Sequence, residues 1–542
     1  MPEKRSFLAP LEHQTFRNIW LASIFSNLGG LIQGVGAAWM MTSITTSENM
    51  VALVQASTTL PIMLFSIVAG AIADNFDRRK VMLVAQFFMF TVSAMLAAFA
   101  NLGWITPWLL LAFTFLIGCG TALNNPSWQA SVGDMVPRED VAGAVSLNSM
   151  GFNLTRSVGP AIGGAIVAFG GAAAAFTANA ASYVALVTAL IRWQKPEIQS
   201  ALPREEIGQA VVAGLRYVSM SPNLLKVFLR SFVFGFSAVA ILALLPVVAR
   251  DIMGGGPLTY GLLLGGFGLG AVGGAYSNAW LRERLSSESI VRYGFAGFAL
   301  SEAAIGVTSN MVLTGIAVIV AGGCWVVVLS LFNTIVQLST PRWVVGRAIS
   351  FYQTATFGGM AIGSWVWGVL AEGYGTDTAL LIAALVVAGG VLVGLLLPMP
   401  VFSSLDLDPL NLFREPELHL DIVPRSGPIA IQVTYQIRDE DLPEFLKLMA
   451  ERRRIRIRDG AQAWALMRDL ERPQFWTETY HTPTWVDYVR HNTRRTKADA
   501  ENFERLRELH QGKGLPEVRR MIERQVIPPA GDIFHQPQID PH

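Results

Sequence analysis

Charge is scarce in this 542-residue chain: Asp, Glu, Lys and Arg together make up 15% of it, against 52% hydrophobic residues. A soluble domain carries about 25% charged residues, so a water-soluble fold over the whole length is excluded. Cysteine is nearly absent. Cys119 and Cys324 both sit inside apolar runs, which leaves neither a disulfide framework nor a metal site to build from them. A net charge of +1 provides no electrostatic footprint for nucleic acid. No G-x-x-x-x-G-K-[ST] loop or metal-ligand spacing occurs, so nothing points to an ATP-driven pump within this chain or to a cofactor. Lys4, Arg5, His13 and Arg17 lead into a run long enough to span a bilayer, with no small-residue cleavage pattern after it. No cleavable signal peptide is expected.

Long apolar runs are what the chain has in abundance. A helix needs about 20 mostly apolar residues to cross the hydrocarbon core. Runs of that length fall at 18–43, 50–73, 81–101, 107–131, 142–170 and 173–192, then at 223–249, 258–280, 288–308, 311–337, 346–371 and 378–398. The sequence thus predicts an all-α polytopic protein of twelve spans. Its domains are expected at 1–192 and 223–400, joined by a linker at 193–222 that holds Pro196, Pro203 and Pro222, with Glu205–Ser219 as an amphipathic helix. About half of all charges fall in the last quarter of the chain, which marks 401–542 as a water-soluble tail. The turns on one side carry Arg78, Arg79, Lys80, Arg138, Arg192, Lys195, Arg204, Arg282, Arg284, Arg342 and Arg347. Those on the other hold Glu48, Glu372 and Asp377, with Arg250 as the exception. Cations mark the cytoplasmic side, so both termini are expected there.

The two halves share a register. Gly70 and Gly274 are 204 positions apart, and the same offset pairs Asp74 with Asn278, Arg78 with Arg282, Pro137-Arg138 with Pro341-Arg342, Ser146 with Ser350, Gly159 with Gly363, and Gly164 with Gly368. A fixed offset in two separated regions predicts a duplicated six-helix unit. The second copy lacks the acid at Asn278, so charge pairing there is expected to be weaker.

The run Gly70-Ala-Ile-Ala-Asp74-Asn-Phe-Asp77-Arg78-Arg79-Lys80 resembles the G-x-L-x-D-x-x-G-R-K loop between helices 2 and 3 of the major facilitator superfamily, with Asp77 in place of the second glycine. Gly159-Pro160-Ala161-Ile162-Gly163-Gly164 resembles that superfamily's G-P-x-x-G-G antiporter signature. Together with the tail, these motifs are similar to the secretion-effector branch, whose relatives include the enterobactin exporter. The resemblance implies parallel halves. It also implies a gating cluster of Gly70, Asp74, Arg78, Arg79 and Asp134, and a helix bend at Gly159, Pro160, Gly163 and Gly164 in an exporter that exchanges its substrate for protons. Small-residue helix packing explains the same glycines without a transport role. One element departs from the proton-driven pattern: Leu109–Gly118 contains no Arg.

Charged residues deep in a span face a cavity or a partner. Glu302 and Arg156, the latter about four helical turns into its span, are the proton-coupling candidates. A structural acid paired with a buried cation or hydroxyl is the competing reading of Glu302. Arg230 lies nearer a span end and is expected to snorkel. By the resemblance, helices 1, 4, 7 and 10 line a central cavity. Gln33, Asn125, Asn153 and Gln353 are the substrate-contact candidates, each with interhelical hydrogen bonding as its alternative. Trp39, Trp128, Trp325 and Phe232 are candidate aromatic walls.

In the tail, Ile429–Ile437 alternates like a strand and Asp439–Arg454 reads as a helix. Strands follow around Ala463–Leu470 and Gln474–Tyr480, then one long helix at Thr484–Leu509. The order β-α-β-β-α resembles ferredoxin-like, dimeric α+β barrel domains and implies dimerisation through the tail. His481, Trp485, Tyr488 and His491 are the residues from which a tail pocket would be built, although regulation, dimerisation or substrate sensing ranks above catalysis. The sequence reading is therefore a proton-coupled exporter of a small apolar or amphipathic molecule (a drug, siderophore or secondary metabolite) in the bacterial inner membrane. Its partners are the bilayer, the substrate and protons. Uptake or facilitated transport, and a membrane-anchored enzyme or sensor, are the alternatives.

Overall fold

A computed structural model describes residues 8–137, 139–193, 207–341, 343–400, the single positions 407, 410 and 413, and 415–523. The chain divides into two compact units. The first comprises Met1–Ala210, Asn223–Val336 and Arg347–Val401; the second comprises Val211–Pro222, Gln337–Gly346 and Phe402–His542.

The first unit is helical. Its elements are α1 (Gln14–Ile44), α2 (Glu48–Asn75), α3 (Arg78–Asn101), α4 (Pro107–Ser131) and α5 (Val141–Arg192). After α6 (Ile207–Ser219), most of which belongs to the second unit, come α7 (Pro222–Val247), α8 (Pro257–Arg284), α9 (Ser287–Val307), α10 (Met311–Leu338), α11 (Val345–Tyr374) and α12 (Thr376–Leu396). Ten of these helices are long and apolar enough to cross a bilayer. α11 has 30 residues, but Ser350, Gln353, Thr354 and Thr356 lower its apolarity, and it stands outside that ten. α5, with 52 residues, covers two of the predicted runs. At 1.5 Å per residue it would extend about 78 Å, over twice a hydrocarbon core. It breaks at Gly171, whose φ of 74° and ψ of 172° are open to glycine but not to L side chains.

Local chemistry fixes the helix starts. Ser47 accepts from the Met50 amide at 3.3 Å, and Thr106 accepts from that of Leu109 with Pro107 in the first turn. Asp77 accepts from the amides of Arg79 at 2.9 Å and Lys80 at 3.3 Å. The residue that departs from the glycine of the loop motif is thus the N-cap of α3.

Close packing depends on missing side chains. A Cβ on Gly164 of α5 would lie 2.8 Å from Gly261 Cα and 2.9 Å from the Pro257 carbonyl oxygen of α8. Further along the same crossing, a Cβ on Gly268 would lie 2.6 Å from Ser157 Cα, and Ser157 Oγ donates to the Gly268 carbonyl at 3.2 Å. The two backbones touch, as small-residue interfaces in membranes allow.

The second unit carries β1 (Ile429–Gln436), α13 (Leu442–Arg458), β2 (Gln462–Arg468), β3 (Phe475–Thr482), α14 (Trp485–Thr493), α15 (Lys497–Leu509) and β4 (Glu517–Ile522). The sheet order is β2-β3-β1-β4, with every pairing antiparallel and Ile429 opposite both Thr482 and Ile522. Ile429, Ile431, Val433 and Tyr435 alternate into a core with Phe445, Met449, Trp485, Tyr488 and Leu506. Two expectations fail here. The single helix Thr484–Leu509 is split, because the Thr496 hydroxyl and Asp499 carboxylate form a capping box that starts α15 afresh. β4 was not foreseen, since Glu517-Val-Arg-Arg-Met-Ile522 is exposed almost throughout and shows no alternation. The unit also takes in Tyr217 and Trp343, whose rings meet edge-on at 5.8 Å. Arg494 lies 4.1 Å over Trp343, and Arg458 lies 5.8 Å over Tyr217.

A buried ion cluster sits under the sheet. Arg456 Nε donates to Glu478 Oε1 at 3.0 Å, as does Trp464 Nε1, and Tyr435 donates to Oε2 at 3.3 Å. Burial pushes the Glu478 carboxyl up, but Arg456 and Arg452 outweigh it and hold the pKa at about 2. His491 is 1% exposed and its Nε2 faces Arg456 Nη1 at 3.0 Å. Burial first, then Arg456 and Arg495, hold His491 well below the usual imidazole range.

Two outcomes are expected. The unfolded chain takes up a proton at His491 near pH 6.5 and the folded tail does not, so tail stability is unaffected above that pH and falls below it. The slope is about 1.4 kcal/mol per pH unit for that group. Amide exchange of β1 and α13 in the full-length protein should accelerate between pH 7 and 5, and a His491→Gln variant should flatten the dependence. Gly164→Leu should separate α5 from α8 at a cost of about 1–3 kcal/mol. The measurement is a lower thermal unfolding midpoint in detergent, with a smaller fall for Gly164→Ala.

Candidate functional site

The charged hairpin between α2 and α3 is tied to three other elements. Arg78 Nη1 donates to Asp134 Oδ2 and to the Ala130 carbonyl, each at 3.0 Å, holding the start of α3 to the end of α4. Arg79 Nε and Nη2 donate to the Leu190 and Ile191 carbonyls at 2.8 and 2.7 Å. These carbonyls belong to the last turn of α5, where a cation meets the negative helix end. A Cβ on Gly70 would lie 3.0 Å from Ser350 Oγ of α11, so this glycine permits the α2–α11 approach. Nearby, Ser66 and Thr354 hydroxyls meet at 2.8 Å. Asp74 is in the last turn of α2, but its side chain lies outside the described residues.

The second copy uses neutral acceptors. Arg282 donates to Asn278 Oδ1 at 3.1 Å, Thr334 Oγ1 at 3.0 Å and the Ser330 carbonyl at 3.3 Å. Asn278 in turn bonds Ser330 Oγ. Of the other paired cations, Arg138 and Arg342 lie outside the described residues.

The Gly-Pro segment packs in two directions. Cβ atoms on Gly159 and Gly163 would meet Leu31 and Ile32 of α1 at 3.0 Å, whereas Gly164 faces α8. These residues keep helical dihedrals; the departure within α5 is at Gly171.

Of the substrate-contact candidates, Gln33 is 4% exposed and is held in a buried hydrogen-bond network. Its Oε1 accepts from Ser93 Oγ at 3.2 Å and from Asn179 Nδ2, and Asn179 also reaches Tyr183 at 3.3 Å. This network knits α1, α3 and the distal part of α5. Asn125 is exposed and Gln353 half-buried; the Asn153 side chain lies outside the described residues. Trp325 is core rather than wall: it packs on Phe234, Phe267 and Phe298.

Glu302, in α9, is fully buried, and neither carboxyl oxygen has a hydrogen-bond partner among the described residues. Arg156 is half-buried. Arg230 does not snorkel. It is 1% exposed, and its Nη1 donates to Glu288 Oε2 at 2.5 Å and to the Leu397 carbonyl at 3.4 Å. Arg292 and the Met399 amide complete the Glu288 shell at 2.8 Å each. Sequence reasoning missed Glu288 because an acid in the first turn of a helix reads as helix-end chemistry. The signal was Arg292 four residues on and an unexplained Arg230.

In the tail, the expected pocket residues are interior. Trp485, Tyr488 and His491 are buried, and Trp485 Nε1 donates to Glu415 at 2.8 Å. His481 sits in β3 and is half-buried.

A family model described as a transmembrane secretion effector matches residues 5–526. The chain is 27% identical over 302 residues to the staphyloferrin A transporter of Staphylococcus aureus, covering 54% of this chain and 74% of that one. It is 25% identical over 414 residues to the enterobactin exporter EntS of Citrobacter koseri, covering 74% and 94%. Among solved structures, the nucleoside transporter NupG aligns with a TM-score of 0.59 at 12% identity, over 71% of this chain and all of that one. The chain belongs to the transmembrane secretion effector family and is a major facilitator transporter of the secretion type.

Proposed function

We propose that this protein exports a small, largely apolar or amphipathic molecule by alternating access, in exchange for protons, across a bacterial inner membrane. In this reading twelve spans form two parallel six-helix halves at 1–192 and 223–400. The segment 193–222 links them, 401–542 is a regulatory or dimerising tail, and both termini are cytoplasmic. The residues 194–206 of that linker lie outside the described residues. α5 counts as two spans meeting at Gly171, and α11 as the span in which polarity serves the pathway. The two relatives named above carry siderophores in their names, which supports a siderophore-like cargo over a small polar nutrient.

The observation that carries proton coupling is Glu302. A carboxylate without a partner inside an apolar helix bundle pays a large desolvation cost, whereas the protonated acid does not. Such a group is stable when protonated and becomes tolerable as an anion only when the bundle opens to water. Proton loss and conformational change are thereby linked. Arg78–Asp134 is the pair that holds the hairpin end closed and parts when that end opens. Arg156, Asn125, Asn153 and Gln353 remain candidates for the pathway. The interior packing of Trp485, Tyr488 and His491 supports a structural or sensing tail over a catalytic one.

Glu302→Gln should insert and fold like the parent, yet its efflux should no longer respond to an imposed proton gradient. The check is dye or siderophore flux in vesicles with and without a protonophore. Parent efflux should fall at least tenfold when the gradient collapses. Efflux that persists without the gradient, or unchanged coupling in Glu302→Gln, would remove protons or Glu302 from the mechanism.

A further inference from the structure

Arg250 is the cation on the otherwise acidic side of the bundle, and the hairpin gate does not account for it. It lies in a single π-turn, Val248–Ile252, that closes α7. Wide turns of this kind occur often at functional positions. Its Nε and Nη2 form a two-pronged pair with Asp251 at 2.6 and 2.7 Å, which fixes the guanidinium plane. The remaining Nη1 donates to the Thr42 carbonyl at 2.7 Å, in the last turn of α1. Two further bonds run in parallel. Ser47 Oγ donates to Glu372 Oε2 at 2.8 Å, and Thr376 Oγ1 donates to Glu48 Oε2 at 2.8 Å. Each joins the α1–α2 connection to an element beyond residue 222: α7, α11 or α12.

We infer that Arg250, Ser47, Glu48, Glu372 and Thr376 form a polar latch that holds the end of the pathway opposite the hairpin closed. The proposal rests on the alternating-access reading, in which that end faces outward. Three properties suit the role. The bonds lie across the two halves, so opening must break them. Ser47, Glu48, Glu372 and Arg250 reach solvent at the bundle's end and only Thr376 is buried, so water replaces lost partners and makes release reversible. The cluster also sets Glu48, Asp251 and Glu372 close to Arg250, so Arg250 is the charge that keeps the acids together. Arg250 is thus a positioning residue, placed against the positive-inside pattern because it neutralises this cluster.

The test uses the full-length chain with Cys119→Ala and Cys324→Ala. Ser47→Cys and Glu372→Cys are bridged by a short bifunctional methanethiosulfonate reagent in vesicles. Relative to the same protein before bridging, efflux should fall at least tenfold and return with reductant; equal efflux before and after bridging overturns the latch. A second arm reads structure rather than flux. Arg250→Gln should accelerate amide exchange several-fold at 44–50 and 372–378 while the hairpin at 75–81 keeps its rate, with Arg250→Lys intermediate. Unchanged exchange at 44–50 also overturns the latch. If the unbridged protein moves no substrate, the transport reading fails, and the exchange arm still decides the latch.

Discussion

The hydrocarbon interior offers no water to a polar atom, and the first unit is organised around that fact. Helices satisfy their own backbones, so side chains set the exceptions. Gln33, Ser93 and Asn179 answer one another. The Arg230 guanidinium is matched by Glu288, which also takes an amide and a second arginine. Where α5 meets α8, Gly164 and Gly261 bring the backbones into contact, and the Ser157 hydroxyl is satisfied by the Gly268 carbonyl. Against this background Glu302 stands apart: Arg230 has its carboxylate, whereas both oxygens of this buried acid lack a hydrogen-bond partner among the described residues.

The same physics makes some features legible in sequence and hides others. Span positions follow from length and apolarity, which are local, and the helix limits lie within a few residues of the apolar runs. The hairpin was legible because its residues are contiguous. Glu288 and the latch were not, because their partners lie far away in sequence: Glu288 answers to Arg230, and Arg250 answers to Thr42. Gln33 was legible as polar and buried, but which neighbour would satisfy it depends on helix rotation, which periodicity in an all-apolar segment does not report. α11 shows the reverse problem: the run 346–371 reads as a span, yet Ser350, Gln353, Thr354 and Thr356 leave the helix outside the ten that are apolar enough to cross a bilayer.

The tail obeys a different solvent. Its strands alternate because one face meets water, so β1 reads directly from Ile429, Ile431, Val433 and Tyr435. β4 is an edge strand and carries charge that blunts further pairing, the pattern that conceals it from a search for alternation. The buried Glu478 belongs to a cluster in which one carboxylate serves Arg456 and Arg452. Removing either partner of such a pair is costlier than replacing both, so it fixes the arrangement more than it adds net stability.

The second unit is assembled from three separated stretches: Val211–Pro222, Gln337–Gly346 and Phe402–His542. A chain emerging from the ribosome presents them far apart in time, with membrane helices inserted between. The first two pieces, Tyr217 and Trp343 among them, must wait for Arg458 and Arg494 to be synthesised before their rings are covered. Completion of this unit therefore requires the chain through Arg494 and the helices that separate the two short pieces from each other and from the tail. A truncated or mis-inserted chain would leave those aromatic surfaces bare, the kind of signal by which quality-control proteases recognise unfinished membrane proteins.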